Sequence, residues 1–325
     1  MGRWTPSMPR FPLLDGPSPL QPLPRFSAAV GGGAEVWIKR EDLLPLAFGG
    51  NKLRNLEFLV AAALADGADT LVTSGRRWSN HCRLTAAAGA KAGLGVHLVL
   101  SGPPVDEPGP NQRLDELLGA TIHVAATAER PDREALVATV VDDLRRAGRR
   151  PHVIGVGGTG VVGAVGQVLA GLEVADQLAA RGVVPTAVIL ASATGGTHAG
   201  VLAGLRVADS VARVVGIAVA APSRELRPVV ERLVGDLGVL TGVAVKTADI
   251  ELDDADLGAG YGHRTAAADE ATRLLARTEG ILVDPIYTAK ALAGLIRLVR
   301  SGSIRGPVVF WHAGGTPGLF EALDG

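Results

Sequence analysis

The sequence predicts an α/β chain of parallel sheets with helices on both faces, and three observations carry that prediction. Short apolar segments alternate with helix-spaced segments along most of the chain, the pattern of strands joined by crossover helices. The 47% hydrophobic content includes only 4% aromatics and is carried by Ala, Val and Leu, the usual filling between helices and buried strands. Clusters of Gly with hydroxyl, amide and charged residues sit in the loops that follow strands, where ligands bind in such sheets. At 325 residues the chain is longer than one small core requires, so one large or two medium domains are expected.

Residues 1–34 are rich in Pro and Gly and are expected to form an extended arm leading into a first strand at 36–40. After Asn51, Leu53, Leu56, Val60, Ala63 and Leu64 fall on one face at helical spacing. Further strands are expected at 70–73, 96–100, 121–124, 151–155, 187–190, 214–219 and 307–310. Helices are expected at 81–92, up to Leu118, and at 133–147, 161–180, 223–237, 265–278 and 288–300. A loop with four prolines spans 101–110, others span 257–264 and 312–318, and Gly-rich turns occupy 155–160 and 193–200. There is no internal repeat and no low-complexity tract.

Charge narrows the function. With 32 Lys+Arg against 33 Asp+Glu, the formal net charge of −1 provides no footprint for nucleic acid or an anionic membrane, so a small-molecule ligand is expected. No apolar run is read as approaching the about 18 residues of a membrane span. The N-terminal segment is broken by prolines and has no secretory pattern. The single cysteine, Cys82, allows no internal disulfide, and a cytoplasmic protein is expected. No His, Cys, Asp and Glu set shows metal-ligand spacing.

Five constellations carry candidate chemistry. Gly49-Gly50-Asn51-Lys52 places a lysine at a helix start, where a Schiff-base former would sit, although an isolated lysine is by default a solvated one. Ser79 reads as the N-cap of the helix after the strand at 70–73, leaving N–H groups for a carboxylate. His81 reads as a helix residue with a satisfied ring. Thr194-Gly195-Gly196-Thr197 combines converging N–H groups, hydroxyls and a helix start, the physical make-up of a phosphate cradle. Gly155–Gly160 satisfies GxGxxG and raises a rival, a nicotinamide-linked oxidoreductase. That rival needs an acid at the end of the next strand, which reads Ile189-Leu190-Ala191-Ser192 instead. Finally, the only two tyrosines, Tyr261 and Tyr287, lie in Gly/Pro-flanked loops rather than on apolar faces, which favours a site.

In their order, Trp37–Asp42, Ala47–Lys52, Ser79–His81, Gly195–Gly200, Asp284–Thr288 and Gly314–Gly315 resemble the D-cysteine desulfhydrase and 1-aminocyclopropane-1-carboxylate (ACC) deaminase family. These are fold-type II, tryptophan synthase β-like enzymes that use pyridoxal 5'-phosphate (PLP). The resemblance runs from about Leu20 to Phe320 and overturns the default reading of Lys52. It implies two three-layer αβα domains, with 1–50 and 160–325 binding the cofactor and 51–159 forming a smaller substrate domain. It also implies a homodimer. Lys52 would hold PLP and move the α-proton, Asn80 would meet the ring hydroxyl, Thr194–Thr197 the phosphate and Thr288 the ring nitrogen. Ser79 would sit at the substrate carboxylate, Tyr261 and Tyr287 would flank the substrate, and Trp78, His81, Ala313 and Gly314 would surround it.

The same resemblance points to a reaction. ACC deaminases look to carry a glutamate where this chain has Thr288, and a hydroxyl gives a weaker electron sink. That favours α,β-elimination of a good leaving group, with D-cysteine as the analogous substrate, over ring opening, and cysteate desulfonation and β-replacement stand beside it as variants. A non-catalytic ligand-binding protein is the remaining alternative. Arg76-Arg77-Trp78 and Ala313 depart from the family pattern beside the expected substrate.

Overall fold

The computed structural model describes residues 4–102 and 106–321. The chain begins with β1 (Leu20–Pro22) and α1 (Pro24–Val30), which lead into β2 (Ala34–Arg40). Then α2 (Lys52–Ala65) leads to β3 (Thr70–Arg76), α3 (Asn80–Ala92), β4 (Gly95–Ser101), α4 (Pro110–Leu117), β5 (Thr121–Val124), α5 (Arg130–Arg146) and β6 (Pro151–Val153). The helix α6 (Val161–Ala179) is followed by β7 (Ala187–Ser192), α7 (Gly196–Val207), β8 (Arg213–Ala218), α8 (Ser223–Thr241) and β9 (Ile250–Asp253). Last come α9 (Ala266–Glu279), α10 (Thr288–Arg300) and β10 (Gly306–His312).

The strands form two sheets. One runs β1-β2-β10-β7-β8-β9 and the other β5-β4-β3-β6. Every pairing is parallel except β1 with β2, which is antiparallel at the sheet edge. Alternation along each strand divides the cores. In β10, Val308 and Phe310 pack with α9 and α10, while Val309 and Trp311 pack with α6 and α7 on the other face. In the smaller sheet, Leu71 and Leu98 face α2 and α3, whereas Val72 and Val99 face Val140 and Val141 of α5. Both faces of both sheets are therefore covered, which is why the strands read as unbroken apolar runs.

Three expectations change. The N-terminal arm is not extended throughout, because Phe26 and Val30 give α1 a buried face on the core of the larger sheet. β9 was not anticipated: Ile250 is its one buried residue and the pattern is too weak to read. The turn after β7 is shorter than expected, since α7 begins at Gly196. Part of the expected 101–110 loop, residues 103–105, lies outside the described residues, as do residues 1–3 of the arm. By length and composition α6 is apolar enough to cross a membrane, which the sequence reading overlooked, but most of it is buried against α2 and α7.

A buried ionic cluster joins the arm, β2, α2 and α6. Arg54 donates to Glu41 through Nε at 2.6 Å and Nη2 at 2.8 Å, and to Glu173 through Nη1 at 2.9 Å. Lys39 pairs with Glu173 and donates to Gln177 Oε1 at 2.7 Å, while Ser18 donates to Glu41. Burial works against the Arg54 charge, but Glu41 and Glu173 outweigh it and raise its pKa. Replacing Arg54 by Met would leave the Glu41 carboxylate buried without its cation and Glu173 with Lys39 alone, with an expected loss of about 3–5 kcal/mol in urea unfolding. A loss below about 1 kcal/mol would show that the cluster is not what locks these elements.

Candidate active site

Six strands from the two sheets release their carboxyl ends towards one cavity of about 420 Å³. Gly75 and Arg76 reach it from β3, Val156 and Gly157 from beyond β6, Ala191 and Thr194 from β7, and Ala220 from β8. Ala313 and Gly314 arrive from β10, and Asn51 and Lys52 from the loop after β2.

Lys52 is the first residue of α2, and the preceding loop is built to hold it there. Gly49 has φ +63°, and a Cβ at that position would lie 2.3 Å from the carbonyl oxygen of Asp42, so the turn requires glycine. The Gly50 N–H donates to the Glu41 carbonyl at 2.9 Å and the Asn51 N–H to the Ala313 carbonyl at 2.9 Å, which ties this loop to the one after β10. The Lys52 amine has no hydrogen bond or ion pair among the described residues. Burial without a counter-charge lowers its pKa to about 8. It is therefore a lysine that readily becomes a neutral nucleophile.

The turn into α7 faces the same cavity. Gly195 caps the helix at φ +80°, and the first N–H groups of a helix have no partner within it. Asn51 Nδ2 donates to Thr197 Oγ1 at 2.7 Å, and Thr159 Oγ1 donates to Thr194 Oγ1 at 2.5 Å. Each of these two threonine hydroxyls accepts a bond and donates none among the described residues, so both protons are left for an anion. Thr194 and Thr197 line the cavity, and Gly195 and Gly196 shape the turn between them.

At the start of α3, Ser79 is the N-cap expected from the sequence and accepts from the Cys82 N–H at 3.2 Å. Ser79, Asn80 and His81 all line the cavity. Arg83 donates to Asn80 Oδ1 at 2.7 Å and to the Gly49 carbonyl at 3.1 Å, clamping α3 to the Lys52 loop. The Thr73 hydroxyl donates to the Ile154 carbonyl, so His81 Nε2, 3.0 Å from Thr73 Oγ1, donates to that hydroxyl. His81 is held neutral, its pKa lowered to about 3 by burial and by Lys52. Its Nδ1 is a buried acceptor without a partner among the described residues.

Tyr261 and Tyr287 meet hydroxyl to hydroxyl, with ring centroids 5.7 Å apart. Burial raises the pKa of both, so they stand as neutral phenols. Trp78 does not line the cavity as expected. Its ring packs 6.0 Å from that of Tyr261 and closely against Gly262, so it supports the tyrosine from behind. Thr288 lines the cavity, but its hydroxyl donates to Asp284 Oδ1 at 2.5 Å and accepts from the Asp284 N–H at 2.9 Å. To donate into the cavity it must leave that bond. Burial raises the Asp284 pKa, against the opposing hydrogen bonds from Thr288 and Tyr287.

Among the lining residues that escaped the sequence reading as parts of this site, three carry polar groups or shape the turn. Asn51 was taken as a helix start, Gly157 was assigned to the dinucleotide motif, and Arg133 was read as an ordinary helix residue. Arg133 sits on α5 and carries no local signal, so only the packing of α5 on β3 and β4 reveals it.

Converging strand ends, a desolvated amine and an anion cradle define a two-sheet α/β enzyme of the kind that binds a phosphorylated aldehyde cofactor. The family model described as pyridoxal-phosphate dependent enzyme matches residues 12–314, and the chain belongs to that family. The chain is 41% identical over 323 residues to the D-cysteine desulfhydrases of Salmonella choleraesuis (strain SC-B67) and Salmonella newport (strain SL254), covering 96% of this chain and 95% of each relative. Among solved structures it resembles an ACC deaminase homologue at 36% identity, with a TM-score of 0.89 and coverage of 97% of this chain and 94% of the other. A threonine deaminase from T.th., at 19% identity and a TM-score of 0.66, shares the fold over 87% of this chain and 88% of its own. The protein uses PLP, and its residues fit that group: Lys52 offers an amine to the aldehyde and the Thr194–Thr197 turn offers donors to the phosphate.

The lowered Lys52 pKa has a direct readout. Below about pH 8 the amine is protonated and unreactive, so acylation of Lys52 in cofactor-free protein is expected to rise through about pH 8. Lys91, exposed on α3, provides the solvent-accessible comparison. Peptide mass spectrometry across a pH series checks this, and coincident profiles for the two lysines would contradict it.

Proposed function

We propose that the chain is a PLP-dependent lyase that removes a β leaving group from a small amino acid, with D-cysteine as the first substrate to test. The observation that carries this reading is the uncompensated Lys52 amine sharing one cavity with the Thr194–Thr197 cradle and two neutral tyrosines. The D-cysteine desulfhydrases at 41% identity support the substrate. The family resemblance supports a homodimer.

PLP supplies an electron sink for the charge left on the α-carbon when its proton is removed. The chain supplies the rest. The start of α3, with the Ser79 side chain at its N-cap, binds and orients the substrate carboxylate. The Lys52 amine takes the α-proton, a role that suits a base whose pKa lies near neutrality. The Tyr261–Tyr287 hydroxyl pair stands at the substrate and can hand a proton to a departing thiolate. Asn80, held by Arg83, and Thr288, held by Asp284, line the cavity and would hold the ring of the cofactor. Ala191, Ala220 and Ala313 give the cavity apolar walls beside these groups.

ACC deaminase chemistry is the second reading, favoured by the 36% identical ACC deaminase homologue. Thr288, a neutral hydroxyl, supports elimination over ring opening. Incubation with D-cysteine, L-cysteine and ACC, with assays for sulfide, pyruvate and 2-oxobutanoate, tests the choice. Sulfide and pyruvate from one enantiomer of cysteine are expected, with turnover reduced about 100-fold or more in Tyr287→Phe. Release of 2-oxobutanoate from ACC without sulfide from cysteine would overturn the reading in favour of ring opening.

A further inference from the structure

Two guanidiniums in the cavity are not used by the chemistry above. Arg76, at the end of β3, lines the cavity, and its side chain has no hydrogen bond or ion pair among the described residues. Arg133, on the first turns of α5, is buried, and its one side-chain bond runs from Nη1 to the Ser101 hydroxyl at 2.9 Å. Its Nε is buried without a partner. Both line the same cavity as Tyr261. Burial and then the Arg76 charge lower the Arg133 pKa, while hydrogen bonds from Tyr287 and Trp78, and then the Arg76 charge, oppose the rise that burial gives the Tyr261 phenol.

Nothing else in the lining answers these charges. Arg130 is already paired with Glu134 at 2.6 Å, and the one carboxylate in the lining, Glu129, is exposed at the rim. The phosphate cradle contains no charged side chain, and the α-carboxylate has the start of α3. Holding two like charges together at a buried wall is costly unless an anion lies between them. Guanidiniums also present paired N–H groups that match tetrahedral oxyanions.

We propose that Arg76 and Arg133 form a second anion site, which selects amino acids whose β-substituent is an ionised oxyanion, a sulfonate or a phosphate ester. This inference rests on the lyase reading and names its substrate class. The step balances without any further reagent. The α-proton passes to Lys52 and the Cβ–S or Cβ–O bond breaks, with its electron pair leaving on sulfite or phosphate. The remaining three-carbon enamine takes up water to give pyruvate and ammonia. The arginines bind the substituent in the substrate and hold the charge it carries away.

The test uses the purified holoprotein with both enantiomers of cysteate, O-phosphoserine and cysteine, reading sulfite, phosphate, sulfide and pyruvate. For one enantiomer, kcat/KM for cysteate or phosphoserine is expected to exceed that for cysteine by about 10-fold or more. Which of the two leads identifies the oxyanion. Arg76→Ala is expected to lower that ratio at least about 10-fold, and to weaken binding of the oxyanion substrate, read from the shift it causes in the visible cofactor band, by a similar factor. Arg133→Gln should act in the same direction, with an unchanged cofactor band and Tm showing that it folds. A wild-type ratio below one, or a ratio unmoved by Arg76→Ala, would overturn the inference while leaving cysteine turnover and the lyase reading intact. Absence of the cofactor band, or of turnover with every amino acid, would instead overturn the lyase reading.

Discussion

An amine held away from water with no counter-charge is the constraint on which this structure turns. Lysine ordinarily keeps its ammonium in solvent, and burial disfavours the charged form unless a carboxylate stands by. At Lys52 none does. The position is held by backbone instead: a left-handed glycine, a hydrogen bond back to Glu41 and another across to Ala313. Those contacts tie the start of α2 to the ends of β2 and β10, so the amine stays where the strands of both sheets converge.

The two sheets are joined around this point by charge rather than by apolar packing alone. Lys39 shows the contrast with Lys52. It is fully buried, but it pairs with Glu173 and serves the Arg54 cluster. The chain thus buries one lysine with a partner, for structure, and desolvates another without one, for chemistry. The same division appears at the cradle, where the threonine hydroxyls accept bonds from Asn51 and Thr159 and keep their protons free. Arg83 and Asp284 act behind the lining, each fixing a residue that faces the cavity.

Much of this was legible in the sequence because strand ends in an α/β fold advertise themselves. Apolar runs of strand length followed by glycine and hydroxyl residues located the loops, and the order of the motifs brought Lys52, Ser79, Asn80 and Thr197 together. What escaped was what depends on tertiary neighbours. Trp78 stands one residue from Ser79, yet the turn into α3 sends its ring behind Tyr261. Arg133 faces the cavity only because α5 packs across β3 and β4, and no local pattern marks it. β9 is a short strand at the sheet edge with one buried residue, too little for alternation to register. Thr288 was read as free to meet a ring nitrogen, whereas its proton is committed to Asp284.

Borohydride reduction of the holoprotein followed by peptide mapping addresses Lys52 most directly. The chain has five lysines, Lys39, Lys52, Lys91, Lys246 and Lys290, so the site of a covalent phosphopyridoxyl label is unambiguous. The label is expected on the peptide containing Lys52, with loss of the visible band on reduction and no label in Lys52→Ala. Label on Lys39 or Lys290, or a holoprotein band that survives reduction, would contradict the account.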